Sequence, residues 1–218
     1  MAESKFPAHL FAEPDPDPDT LANLGPLAPL AGTWEGTKGS DIKPTADGAE
    51  SQTYVERIVL EPIDPQMNGP QLLYGLRYHT RIVKPGEVEM YHDQTGYWLW
   101  EPATGRILHT VAIPRGQVAL AKGKAAPDAT EFTVKSRRGK TENGICSGMF
   151  LEENFRTERF VMTVTVHDAD SWSYDEVTTL KIKGVAEPFE HRDTNTLHRI
   201  KRARRNPLAR GLRRRKAK

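Results

Sequence analysis

Short β-rich runs, each closed by a turn signal, set the limits on what this chain can fold into. The runs are Thr33 to Thr37, Gln52 to Glu61, Leu72 to Val83, Val88 to Trp100, Arg106 to Ile113 and Gln117 to Ala121. They continue as Glu131 to Ser136, Cys146 to Phe155, Arg159 to Val166, Ser171 to Lys183 and Asn195 to Ile200. Between them stand Asp64-Pro65, Asn68-Gly69-Pro70, Pro85-Gly86, Pro102 to Gly105, Pro114-Arg115-Gly116 and Asp168-Ala169-Asp170. Regular spacing of strands and turn residues argues for an all-β sandwich or barrel. No stretch of the body keeps a helical period.

Alternation gives each strand an inside and an outside. Ile107, His109, Val111 and Ile113 share one face, as do Phe160, Met162, Val164 and Val166. Trp172, Tyr174, Leu180 and Ile182 share another, with Glu176 and Thr178 between them. One-sided burial fits an antiparallel sheet curled on itself. The predicted fold is an all-β, up-and-down antiparallel β-barrel of about ten strands, wide enough to hold a cavity. It spans residues 26–202, between disordered amino- and carboxy-terminal tails.

Charge sets the tails apart from the body. Residues 1–25 hold Glu13-Pro14-Asp15-Pro16-Asp17-Pro18-Asp19, which can form neither helix nor ladder and reads as an extended leader. Leu21 to Leu24 and Leu27 to Leu30 are expected to form short helical turns on the body. From Lys201 to Lys218 ten positions of 18 are Lys or Arg and none is acidic. The other 200 residues then hold 21 bases against 29 acids. The basic tail, 203–218, suits contact with nucleic acid or acidic lipid, or a solvated terminus. The single cysteine, Cys146, excludes an internal disulfide and reads as a buried structural thiol. No apolar run is long enough to span a membrane, and no signal peptide opens the chain, so the expected location is cytoplasmic.

The reactive inventory is seven histidines: His9, His79, His92, His109, His167, His191 and His198. None belongs to a recognisable zinc motif, and there is no nucleophile elbow, Walker loop or dinucleotide fingerprint. Three stretches stand out: Gly32-Thr33-Trp34-Glu35-Gly36, His92-Asp93-Gln94-Thr95-Gly96-Tyr97-Trp98, and Phe189-Glu190-His191-Arg192-Asp193-Thr194-Asn195-Thr196-Leu197. Small residues beside Trp34 let the strand bend while the ring seals one barrel end.

Together these resemble the nitrobindin family, fatty-acid-binding-protein-like and lipocalin-like haem-binding β-barrels. The resemblance runs from about Leu30 to Arg202. Gly32, Trp34 and Gly36 match the opening G-x-W-x-G, and His92, Gly96 and Tyr97 match an H-x-x-x-G-Y segment. Ala112 to Val118, with Lys122-Gly123, is similar to a strand–turn–strand of the family. The resemblance implies a ten-stranded barrel whose pocket holds haem b through one histidine of the last strand. It also implies nitric oxide binding and peroxynitrite isomerisation at the ferric iron.

Carried over, His191 is the expected axial ligand to the haem iron and His92 a second pocket histidine. Trp34, Tyr97, Trp98 and Met162 are expected in the wall, and His109 is read as either cavity lining or a satisfied core histidine. The family's axial histidine stands five residues before a leucine of the last strand, whereas His191 stands six before Leu197. An odd spacing made even moves a side chain to the other strand face unless a bulge intervenes. The alternative is a haem-free carrier of a fatty acid or other lipophile, with Glu176, Thr178, Arg77 and Tyr174 receiving an anionic head group. A third reading makes the barrel a scaffold for the basic tail. Expected partners are haem or a hydrophobic small molecule, a second copy in a homodimer, and nucleic acid or acidic lipid at the tail.

Overall fold

The computed structural model describes residues 6–205 and Pro207. The strands, in chain order, are β1 (Gly32–Thr45), β2 (Gly48–Pro62), β3 (Gln66–Asn68), β4 (Gln71–Val83), β5 (Met90–Glu101) and β6 (Arg106–Ile113). They continue as β7 (Gln117–Lys124), β8 (Glu131–Arg137), β9 (Ile145–Ser147), β10 (Phe155–Val166), β11 (Ser171–Ile182) and β12 (Phe189–Arg202). Two short helices, α1 (Thr20–Asn23) and α2 (Met149–Asn154), interrupt the series.

Ten of these strands close into an antiparallel barrel. β12 pairs back onto β1, β1 with β2, and β2 with β4, so the ring has no free edge. β3 and β9 are short additions paired to β4 and β7. Closure removes the exposed ladder groups that an open sheet of this size would present. Strand bounds follow the turn residues closely, and β6 coincides with the predicted run Arg106 to Ile113. The run Cys146 to Phe155 is not one strand. It divides into β9 and α2, because Gly148 opens a turn and Met149-Phe150-Leu151-Glu152-Glu153-Asn154 are helix formers with no alternation. Cys146, on β9, is exposed instead of buried.

The lower half of the barrel is filled by side chains. Trp34, Trp98, Trp100, Trp172, Phe132, Phe160, Met162 and Leu197 belong to one buried cluster. Each such side chain contributes roughly 1.5–3 kcal/mol on leaving water. The leader does not stay free along its length. Tyr74 Oη accepts the backbone N–H of Asp17, and Thr20 Oγ1 donates to the Ile63 carbonyl. α1 and the turn Gly25–Leu30 then drive Leu24, Leu27 and Leu30 into the base of the barrel. Trp34 Nε1 donates to the Leu30 carbonyl, and the Arg199 guanidinium lies 4.0 Å over its ring. Trp34 thus seals one end, as its glycine-flanked setting predicts. Of the basic tail, only Ala203, Arg204, Arg205 and Pro207 fall within the described residues.

Candidate functional site

The opposite end is polar, and a bulge in β1 decides which residues line it. β1 runs in register with β2 as far as Gly36↔Glu56 and resumes at Gly39↔Tyr54. The extra residue reverses the alternation, so Asp41 faces inward although Trp34 and Gly36 set the opposite parity. A side chain on Gly39 would strike the Tyr54 ring at 2.2 Å, and one on Gly36 the Asn195 amide at 2.5 Å. Both glycines of the bulge therefore exist to let interior side chains approach the backbone.

β12 pairs with β11 without a break from Phe189 to His198. His191, Asp193, Asn195 and Leu197 accordingly share the inner face. Leu197 is in the core and His191 is at the mouth, with 30% of its side chain exposed. The residue five before Leu197 is Arg192, which stands outside in an ion pair with Asp175. The six-residue spacing thus brings His191 in, not out.

His191 Nε2 lies 2.8 Å from Asp41 Oδ1 and 3.4 Å from Asp193 Oδ2. Asp41 Oδ2 accepts from Gln52 Nε2 at 2.7 Å, and Gln52 Oε1 accepts from Lys43 Nζ at 2.7 Å. Burial works against the charged forms here. The hydrogen bonds from His191 and Gln52 outweigh it and hold the Asp41 carboxyl below its usual range. The same two aspartates overcome burial on the ring and raise His191. Asp193 itself is raised by burial and by the Asp41 charge, against the pull of His191.

Below this group the acids continue. Glu176 pairs with Asp193 across β11 and β12, and burial with the charges of Asp193 and Glu56 pushes it well up. Glu56 is buried and accepts from Tyr174 Oη at 2.8 Å and Asn195 Nδ2 at 2.9 Å. Tyr174 Oη also meets Tyr54 Oη at 2.8 Å. Burial pushes Glu56 up to about 7, with those hydrogen bonds pulling against it.

Of the other expected site residues, His92 stays close enough to feel the His191 charge, and the rest scatter. His92 is on the inner face near the mouth, with Nε2 3.3 Å from Gln94 Oε1. His109 is deep in the core, stacked on Trp98 and 3.0 Å from Tyr78 Oη, so it is a packed core histidine and not a lining one. Trp34 belongs to the sealed end. Its β12 partner Arg199 is eight residues beyond His191, about 26 Å along a strand. Trp98 and Met162 are likewise in the filled half. Tyr97 points outward and is 42% exposed, because its neighbours Gly96 and Trp98 take the inner face. Arg77 is also outside, paired with Glu61, and so does not meet Glu176 or Tyr174. Asp193 lies in the stretch singled out around His191, two residues on along the strand, whereas Asp41 had no signal as a site residue. The register break in β1 alone would have revealed Asp41.

A family model described as the THAP4-like, heme-binding beta-barrel domain matches residues 23–199. The chain belongs to that family. Among solved structures, Rv2717c from M. tuberculosis is similar at 20% sequence identity and a TM-score of 0.54. The match covers 83% of this chain and 96% of that one. At this identity the likeness bears on the fold, a nitrobindin-like barrel. Family membership makes the chain a ligand-binding barrel, and the match ends just beyond the strand face that carries His191 and Leu197.

Proposed function

We propose that this member of the heme-binding barrel family takes a small cationic ligand at its acid-lined polar end. One observation carries the reading. Asp41, Glu56, Glu176 and Asp193 all face the lumen, and no Lys or Arg among the described residues forms an ion pair with any of them. Lys43 leans to Gln52 and Glu50, and Arg115, on the rim, to the Tyr91 carbonyl. His191 is the one basic side chain paired with this group, and carboxyl groups that outnumber their counter-charge stay protonated or attract a cation. A fatty-acid carboxylate or the acid groups of a porphyrin would meet like charge.

Haem b is the group the family suggests, and the donors here do not fit it. An axial imidazole needs a ring nitrogen free toward an apolar slot, with its other N–H held from behind. His191 instead turns Nε2 to Asp41 and Asp193, and its cross-strand partner on the inner face is Thr178. His92 Nε2 is engaged by Gln94, and His109 lies flat against Trp98. Nitric oxide binding and peroxynitrite isomerisation therefore gain no support from these residues.

The test offers the purified full chain two probes, hemin and the dication of 1,4-diaminobutane. The diamine should bind one per chain and weaken as salt rises, and hemin should keep its free absorption spectrum. A Soret band that forms with wild type and is lost in His191→Ala would overturn the reading.

A further inference from the structure

We infer that Asp41, His191 and Asp193 form a binding site for one divalent transition-metal ion. The inference rests on the cationic-ligand reading and names the cation. Two strands distant in sequence deliver the donors: Asp41 from β1, and His191 and Asp193 from alternate inward positions of β12. Their ligating atoms all lie within 4.8 Å of one another. His191 Nε2 stands 2.8 Å from Asp41 Oδ1 and 3.4 Å from Asp193 Oδ2. Donors about 2.0–2.2 Å from one ion are roughly 3–3.4 Å apart, so the ion replaces the Nε2 proton with little movement.

The surroundings fit the same reading. Asp41 Oδ2 is held by Gln52, which is held in turn by Lys43, so Oδ1 is aimed at His191 before any ion arrives. Asp41 is 5% exposed, His191 30% and Asp193 23%, a gradient that leaves the ion a path from the mouth. Glu176 faces the lumen as the cross-strand partner of Asp193 and lies outside this donor group. One imidazole with two carboxylates suits the borderline ion Zn²⁺, or the harder Mn²⁺ that still accepts imidazole, better than Mg²⁺, which keeps its water and prefers all-oxygen sites.

The experiment titrates Zn²⁺, Mn²⁺ and Mg²⁺ calorimetrically into the full chain after chelator treatment, and reads the d–d spectrum of the Co²⁺ form. The expected result is one Zn²⁺ or Mn²⁺ per chain and a cobalt spectrum showing nitrogen and oxygen ligands. Asp193→Asn and His191→Ala, checked for folding by circular dichroism, should each weaken binding at least tenfold. Glu176→Gln should weaken it less. No saturable Zn²⁺ or Mn²⁺ binding to wild type, or binding unchanged in both His191→Ala and Asp193→Asn, overturns the inference. If the diamine binds and the metals do not, the metal site falls and the cationic reading stands. If neither binds, both fall.

Discussion

The imidazole of His109 lies flat on the indole of Trp98, with ring centroids 3.8 Å apart and 5° between the planes. Tyr78 Oη donates to the Thr110 carbonyl, so the His109 Nε2–H donates to Tyr78 and Nδ1 is left as a buried lone pair. Burial holds this ring neutral and pushes it down to about 3. The unfolded ring titrates near 6.5. The histidine's contribution is therefore complete above pH 6.5 and is lost as pH falls toward 3. Urea unfolding of His109→Phe at pH 7 and pH 4 should show a smaller acid loss than wild type. An equal loss would mean the ring protonates without cost.

Glu56 pulls the other way. Its folded value of about 7 lies above the ordinary 4.5, so its contribution is complete below pH 4.5 and fades as pH rises through 7. The span is about 3 kcal/mol at most. Glu56→Gln keeps an acceptor for Tyr174 and Asn195 without the charge. Its Tm should change less between pH 5 and pH 8 than that of wild type.

Gly96 sits where a side chain would meet the Thr110 carbonyl oxygen at 1.9 Å. Its place before Tyr97 reflects this strand-to-strand approach and not ligand contact. Gly96→Ala should cost about 1–3 kcal/mol by denaturant unfolding, the range for overpacking. Gly148→Ala, whose nearest neighbour is the Gly116 carbonyl at 3.6 Å, should cost much less.

Arg199 ties the amino-terminal plug to the barrel. It donates to the carbonyls of Pro29, Ala31 and Ala169 and lies over Trp34. Arg199→Lys cannot reproduce the planar fork. Limited proteolysis should then cut near residues 17–30 at protease levels that leave wild type intact.

The barrel was legible because one-sided alternation and turn clusters recur along the whole body, and because β12 ends where the last apolar positions do. The sealed end was legible too, through Trp34 between Gly32 and Gly36. The polar end was not. Period-two reading puts Asp41 outside, and only the bulge between Gly36 and Gly39 turns it in. Arg77 and Tyr97 were misplaced for the converse reason: their strands keep regular alternation, and their parity is opposite to that of Leu76 and Trp98. His191 was reached through the family resemblance, and Asp193 stands two residues on along the same strand, but Asp41 comes to its Nε2 through a register break that spacing does not show.

The most direct measurement is a calorimetric titration of the full chain with the 1,4-diaminobutane dication at low salt, repeated on Glu176→Gln/Asp193→Asn. The expected result is saturable binding at one per chain that disappears in the double variant. Absence of binding in wild type, or equal binding in both proteins, would contradict a cationic ligand at the acid-lined mouth.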